Sequence, residues 1–507
     1  MIFALLLLAA SAPQKGRLVV VAVIDQLRYQ DVLWLAPELG SRGFAGLGTP
    51  APMRYDTVVT ETAADHAVLS TGAYADMNGV VGNRFYVEGA RRELVEDPSC
   101  PVWGAPQIGR SSAMLRVPTV GDAFKLGTDG AGRVVSVAVK DRSALFLAGA
   151  SADLAVWFEL ETGEMASTTC YAPGPPPWLP QHVLVDWKDW VWTMSRPDAI
   201  ARLVPQARNE GSRPANDVGA EFPHPVGNGK IDKRLALAAR NSPAASTSAL
   251  RTASAAVKAM ALGESNTTDL LFVALSSVDG VGHQFGTLTR ERVDTILRTH
   301  DELGAFLSGL RARLGKRLSV LLTSDHGLNP TASDERRLRV GQGGTIDLDG
   351  LIQKLNRALD EQIGLRREGW VLAIDGSQLW LRSPFPPKAV QAAVEVLRRE
   401  PGLWKVIPAD EIDAAESFVR HSWFAGRSGQ AMLVTRPLWT MKKAADAADH
   451  GSPWNDDALV PVSLQAPGFR LRRNGVIRAT QIAPAIAALL DAAPPAAALD
   501  DPAIEHE

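Results

Sequence analysis

Residues Leu18–Ile24 form an unbroken apolar run in which four of the seven are valine. A strand with one wet face would interleave polar positions, so a continuous run predicts a strand covered on both faces, as in a parallel sheet. Similar runs recur at 134–139, 270–275 and 319–323. Between them the apolar period lengthens to that of a helix. One such stretch covers 246–262. Another covers Arg290–Leu314, where Val293, Ile296, Leu297, Leu303, Phe306, Leu307 and Leu310 share one stripe. This alternation predicts an α/β fold: a central, mostly parallel sheet flanked by helices on both faces. Ligands of such sheets gather beyond the carboxyl ends of the strands.

Two stretches break the rhythm. Residues 157–226 are rich in Pro, Trp and Gly, with three successive prolines at 175–177 and the cluster Trp187, Trp190, Trp192. Residues 334–439 carry their own pattern, with a helix near 387–399 and short strands around 369–374 and 377–381. Both read as insertions that build a cap over the strand ends, with the tryptophans from Trp157 to Trp192 as packing within it. The expected division is a signal segment at 1–12, core at 13–156, 227–333 and 440–507, and cap insertions at 157–226 and 334–439. A helix near 479–491 closes the chain.

Composition narrows this further. With 507 residues, 46% of them hydrophobic, the chain can bury a large core as one large or two interlocked domains. The formal charge of -3 leaves no basic field to hold a nucleic acid backbone. The N-terminal run Met-Ile-Phe-Ala-Leu-Leu-Leu-Leu-Ala-Ala-Ser-Ala is too short to span a bilayer and ends in small residues, as a secretory h-region does. It lacks a basic n-region, and Pro13 follows directly. Export is the expectation and a buried N-terminal strand the alternative. No later segment is long and apolar enough to span a membrane. Cys100 and Cys170 fit an exported protein with one disulfide or a reduced pair, and a bridge would contribute roughly 4 kcal/mol.

The candidate chemistry falls on four short segments. They hold Asp25 in Val-Ile-Asp, Asp279 and His283 in Ser-Val-Asp-Gly-Val-Gly-His, Asp325 and His326 in Thr-Ser-Asp-His-Gly, and His450 in Asp-His-Gly-Ser-Pro. Carboxylate and imidazole suit Zn²⁺, and six such ligands can be shared three and three. Thr62, in Thr-Glu-Thr-Ala-Ala-Asp-His, stands where a helix begins and its free N–H groups and dipole favour an anion. It is the candidate nucleophile, with a plain N-cap role for Thr60 or Thr62 as the alternative. Asn83 lies 21 residues on and offers an amide to a phosphoryl oxygen, or only makes a turn. Lys140 and Arg142, two apart after a buried strand, are expected on one face, with Asp141 pointing away. They read as a cationic rim for phosphate. His66 reads as a packing or hydrogen-bonding residue rather than a ligand.

These motifs together resemble the alkaline phosphatase superfamily, in particular the bacterial zinc-dependent alkaline phosphatases with a threonine nucleophile. The resemblance runs from Val-Ile-Asp at 23–25 through His-Gly-Ser-Pro to the terminal helix. The Thr62-to-Asn83 spacing and the Lys-Asp-Arg element set it apart from the related nucleotide pyrophosphatase/phosphodiesterases. It implies one Zn²⁺ held by Asp279, His283 and His450, and another by Asp25, Asp325 and His326 with Thr62; an added structural Ca²⁺ is left open. It further implies hydrolysis of small phosphate monoesters through a phosphothreonine, with Asn83, Lys140 and Arg142 on the phosphoryl oxygens. A periplasmic or secreted monomer or simple homo-oligomer is expected. The chain departs from the family at Ala64-Asp65, where a proline followed by Gly or Asn is usual; Asp65 would discourage phosphate if it faced inward. The rival readings are a phosphodiesterase on the same core, a phosphoglycerate-mutase-type enzyme, and a non-catalytic metal-dependent binding protein.

Overall fold

The structure, a computed structural model, describes residues 16–206, 212–214, 218–329, 343–443 and 446–507. The signal segment expected at 1–12 lies outside the described residues. The strands that matter here are β1 (Leu18–Ile24), β2 (Ala51–Arg54), β3 (Val134–Ala138), β4 (Leu154–Glu159), β5 (Glu164–Ala166), β6 (Asp269–Leu275), β7 (Leu318–Thr323), β8 (Val371–Asp375), β9 (Gln378–Leu381), β10 (Leu403–Pro408), β11 (Ala431–Thr435), β12 (Leu459–Gln465) and β13 (Ile477–Arg478). The helices that matter here are α1 (Thr62–Thr71), α2 (Asp141–Ala148), α3 (Lys233–Arg240), α4 (Pro243–Ala259), α5 (Ser277–Phe285), α6 (Arg290–Leu314), α7 (Leu348–Ile363), α8 (Pro387–Arg398) and α9 (Ile482–Leu490).

A nine-stranded sheet runs in the order β13-β2-β12-β7-β1-β6-β3-β4-β5. The central strands β7, β1, β6, β3 and β4 are parallel, while β5 and β12 run against their neighbours. The unbroken apolar run of β1 is explained by the two cores it divides. Leu18, Val20, Ala22 and Ile24 face one side, which α4 and α6 cover. Val19, Val21 and Val23 face the other, under α1, α2 and α9. Alternate side chains point to opposite faces, and here neither face meets water.

The second insertion builds its own small body. Strands β8-β9-β11-β10 form an antiparallel sheet, backed by α7 and α8 around Leu355, Leu359, Leu379, Leu397 and Leu433. The first expected insertion behaves differently near its start. Trp157 lies inside β4 of the central sheet and is buried, because residues 154–157 pair in parallel with β3. Trp187 and Trp192 dock on the helices of the core instead of over the strand ends. Their ring N–H groups donate to Ser248 Oγ at 3.2 Å and Asp294 Oδ2 at 2.7 Å. A buried indole needs an acceptor, and α4 and α6 supply one each.

Cys100 and Cys170 form a disulfide with their Cα atoms 5.3 Å apart. It closes a 70-residue span that includes β3, α2, β4 and β5. Replacing both cysteines by alanine should therefore lower unfolding stability by up to about 4 kcal/mol, read from urea denaturation of the oxidised parent and the variant. An unchanged midpoint would show that the span is already ordered in the unfolded chain.

Candidate metal centre and active site

Three of the four ligand segments follow neighbouring parallel strands, Lys140 follows a fourth, and the last ligand segment closes on them from outside. Asp25 comes directly after β1, Lys140 two residues after β3, Asp279 in the first turn of α5 after β6, and Asp325 two residues after β7. His450 approaches from the segment before β12. The hydroxyl, amide and cations expected at the site, with Asp279, His283 and His450, line a cleft of about 780 Å³. Asp25, Asp325 and His326 lie fully buried beneath it.

The ligand-type atoms form overlapping groups whose members lie within 4.8 Å of one another: Asp25, Asp325 and His326; Asp279, His326 and His450; and His283, Asp449 and His450. Each histidine is aimed by its backbone. Nδ1 of His326, His450 and His283 meets the carbonyls of Gly327 at 3.0 Å, Thr60 at 2.7 Å and Ala448 at 3.0 Å. Since a carbonyl only accepts, Nδ1 carries the proton and Nε2 is left as a ligand atom. His283 Nε2 stands 3.2 Å and His450 Nε2 3.8 Å from Asp279 Oδ1. Asp25 Oδ1, Asp325 Oδ2 and His326 Nε2 are buried without a hydrogen-bond partner, while Asp25 Oδ2 meets Lys140 Nζ. Buried polar atoms are rarely left so, and this donor set fits divalent cations.

Charge makes the same point. Lys140 Nζ lies 2.6 Å from Asp25 Oδ2 and 2.6 Å from Asp279 Oδ2. With all three ionised, one ammonium among three buried carboxylates would leave an excess of negative charge. Burial pushes the Asp325 carboxyl well above its usual range, and neighbouring Asp25 adds to it. For Asp279 burial acts in the same direction, but Lys140 and His283 outweigh it and hold the group well below that range. Burial lowers His326, while His283, held by Asp279 against its own burial, is pushed up to about 10.

Thr62 opens α1, and Glu61 takes the N-cap position. Thr60 exchanges hydrogen bonds with Ser452, so neither threonine caps the helix by its side chain. Thr62 Oγ1 accepts from Lys140 Nζ at 3.0 Å. Asn83 is oriented twice over. Its Oδ1 accepts from Ala63 N at 3.0 Å, and its own N–H donates to Glu61 Oε2 at 2.7 Å. With Oδ1 engaged, its amide N–H₂ is the part left to meet a ligand. Lys140 and Arg142 both reach the cleft, but so does Asp141, which pairs with Arg110 at 3.1 Å and Arg142 at 3.7 Å. The expected alternation fails because the chain turns into α2 at residue 141, where period two no longer holds.

Asp65 is fully buried, is absent from the cleft lining and has no hydrogen-bond partner among the described residues. Burial, and then Asp325, push its carboxyl well above the usual range, which favours its neutral form, and it does not face the cleft. His66 is buried, with Nδ1 2.7 Å from Thr62 O and 3.3 Å from Asp325 Oδ2.

Three contributors were not singled out in the sequence. Gln26 joins the two ligand groups, its backbone N–H donating to Asp325 Oδ1 at 3.1 Å and its Nε2 to Asp279 Oδ1 at 2.9 Å. Gly282 makes room for it, since a Cβ there would lie 1.9 Å from Gln26 Oε1. Arg292 fixes the Gln26 carbonyl at 2.9 Å and is itself held by buried Asp31 at 2.8 Å. Asp449 joins His283 and His450 in one group. A signal for Asp449 existed: the triplet Asp-His-Gly occurs at 325–327 and again at 449–451.

Two outcomes follow from these shifts. Below about pH 10 the His283 proton competes with a metal, so Zn²⁺ titrated into metal-free protein should bind more tightly, with proton release, at about pH 9 than at about pH 7. Equal affinity would remove His283 from the ligands. A raised carboxyl pKa favours folding below the unfolded pKa and loses that contribution as pH climbs towards the folded value. Asp65→Asn should thus be more stable than the parent, increasingly so above about pH 4, in thermal melts taken across pH.

Residues 19–453 match the model of a family described as type I phosphodiesterase / nucleotide pyrophosphatase. Curated relatives include a protein of Myroides odoratus named calcium-transporting ATPase, 28% identical over 96% of this chain and 94% of its own length. Alkaline phosphatase PhoK of a Sphingomonas species is 28% identical, over 89% of this chain and 84% of its own. The crystal structure of alkaline phosphatase PafA shares the fold with a TM-score of 0.87 at 23% identity, over 97% of this chain and 99% of that one. No helix among the described residues is long and apolar enough to cross a membrane. From the matched span and the shared fold, the chain belongs to the type I phosphodiesterase / nucleotide pyrophosphatase family, within the alkaline phosphatase superfamily.

Proposed function

We propose that the chain is a metal-dependent phosphomonoesterase, an alkaline phosphatase acting through a phosphothreonine on Thr62. One observation carries the reading. The Thr62 hydroxyl, 3.0 Å from Lys140 Nζ, meets an ammonium that also touches Asp25 and Asp279, one carboxylate from each ligand group. A nucleophile, a phosphate-binding cation and both Asp/His groups thus converge at one point.

Asp25, Asp325 and His326 would hold one Zn²⁺, and Asp279, His283 and His450 the other, with Asp449 in reach of the second group. Bound there, the ions supply Lewis-acid charge for the attacking and leaving oxygens. The rest is the work of the chain. Lys140 donates to Thr62 Oγ1 and favours its alkoxide. Thr62 Oγ1 gives up its proton to solvent and attacks phosphorus in line, the bond to the leaving oxygen breaks, that oxygen takes up a proton, and a phosphothreonine forms. Water then attacks the same phosphorus, the bond to Thr62 Oγ1 breaks, and inorganic phosphate leaves. Asn83 Nδ2 and the planar fork of Arg142 hold the other oxygens, and the α1 N-terminus favours their charge.

The cationic wall distinguishes monoesters from diesters. A monoester offers Lys140 and Arg142 two free charged oxygens; a diester puts an organic group where one of them would be. This favours a phosphatase over the phosphodiesterase activity in the family's name. Localisation in the periplasm or outside the cell agrees with the disulfide and with the apolar start of the sequence. Small phosphate esters are the proposed substrates, and a structural Ca²⁺ is not needed by this scheme.

Zinc-loaded protein should cleave p-nitrophenyl phosphate far faster than its bis-ester at alkaline pH, lose the activity to EDTA and regain it with Zn²⁺. Thr62→Ala should lower turnover by about three orders of magnitude or more. Faster cleavage of the bis-ester would move the chain to the phosphodiesterases, and full activity in Thr62→Ala would remove the covalent step.

A further inference from the structure

The cleft wall beside Asp279 carries more positive charge than the phosphoryl group needs. Arg240 ends α3, and the Arg240–Asn241 segment lies against Gly280, the residue after Asp279. A Cβ on Gly280 would stand 3.0 Å from Asn241 Oδ1, 3.2 Å from Asn241 Cα and 3.5 Å from Arg240 O, so glycine lets this segment close on the metal-ligand turn. Arg240 and Arg142 both line the cleft, and Arg213 joins them, its backbone N–H held by Gln284 O at 2.6 Å, next to His283.

The acids near Arg240 are engaged elsewhere. Asp141 pairs with Arg110 and Arg142. Glu159 accepts from Trp157 Nε1 at 3.0 Å and from Glu161 N at 3.1 Å. Asp279 receives Lys140, His283 and Gln26. Among the described residues the Arg240 guanidinium closes no ion pair, and Arg142 Nε is buried without a partner. Burial, and then the like charge of Arg142, lower the Arg240 pKa, and the surrounding acids offset this only in part. A half-buried guanidinium without a direct counter-ion favours an anionic ligand.

Burial also orders the wall. Thr62 is buried on the floor, Arg142 and Arg240 are half-buried, and Arg213 is exposed at the rim. In-line attack from the floor sends the leaving oxygen away from Thr62, towards the open side where this wall stands. We infer that Arg240, with Arg213 at the rim, forms a second anion subsite for the leaving group, next to Arg142 on the phosphoryl oxygens. The preferred substrates are then phosphomonoesters whose alcohol carries a further anionic group, a carboxylate or another phosphate. The inference rests on the phosphomonoesterase reading for its reaction, but not for its binding test.

The test compares non-hydrolysable ligands by calorimetry on zinc-loaded protein: phenylphosphonate and its meta- and para-carboxylates. At least one carboxylate should bind about tenfold more tightly than phenylphosphonate, the scale of one hydrogen-bonded ion pair. In Arg240→Ala and in the milder Arg240→Gln that advantage should fall to about onefold, while phenylphosphonate binding reports that each variant is folded. No advantage in the parent, an advantage kept in both variants, or no binding of any ligand would overturn the subsite. Turnover of phenyl phosphate by the same preparation is read separately. Its absence beside an Arg240-dependent preference would sink the catalytic reading and leave the subsite standing.

Discussion

Three carboxylates, Asp25, Asp279 and Asp325, are buried together at the carboxyl ends of adjacent parallel strands, and the rest of the site answers to that charge. Such a cluster is costly in a low-dielectric interior unless cations neutralise it. Lys140 reaches into it from the neighbouring strand end and touches two of the three. Three histidines present Nε2 to the same space because their Nδ1 atoms are committed to backbone carbonyls. Fold and chemistry are coupled here: the sheet brings the acids together, and their repulsion calls for metal.

Around this centre the protein spends hydrogen bonds on direction. Gln26 ties Asp325 to Asp279, Arg292 ties Gln26 to Asp31, and Arg28 completes the buried set on Asp31. Asn83 is held between Ala63 and Glu61, one residue either side of Thr62. Burial, and then Asp375 of the small antiparallel sheet, push the Glu61 carboxyl up to about 7, so that sheet reaches the turn that carries Thr62. The turn between β8 and β9, at Asp375, Gly376 and Ser377, lines the cleft with it. This part of the chain lines the candidate cleft and also holds a separate small core.

Much of the frame was legible along the chain. Strands covered on both faces show as unbroken apolar runs, and β1, β3, β6 and β7 each fell within a residue of the observed bounds. Helix α6 matched its stripe end to end. The residues with distinctive chemistry stood out because Asp and His beside Gly at strand ends are hard to explain as packing. Trp157 was misplaced for a related reason: an aromatic next to a Pro-rich stretch reads as insertion until its pairing partner, β3, is known. Lys-Asp-Arg was read with the period of a strand although the helix had already begun.

The amino-acid sequence by itself determined which groups are available and where each would leave the sheet, since local patterns of burial and turn chemistry act over a few residues. It determined the three-layered α/β frame, the ligand types, the candidate nucleophile and the cations. Only the tertiary structure decided what depends on distances between segments far apart in the chain. It buried Asp65 and raised its carboxyl pKa, brought Asp449 to His283, set Gln26 between the two ligand groups and left Arg240 beside Arg142 without a direct ion pair among the described residues. Those outcomes are set by long-range Coulomb interactions and desolvation, which follow from position in space and leave no periodic trace in the sequence.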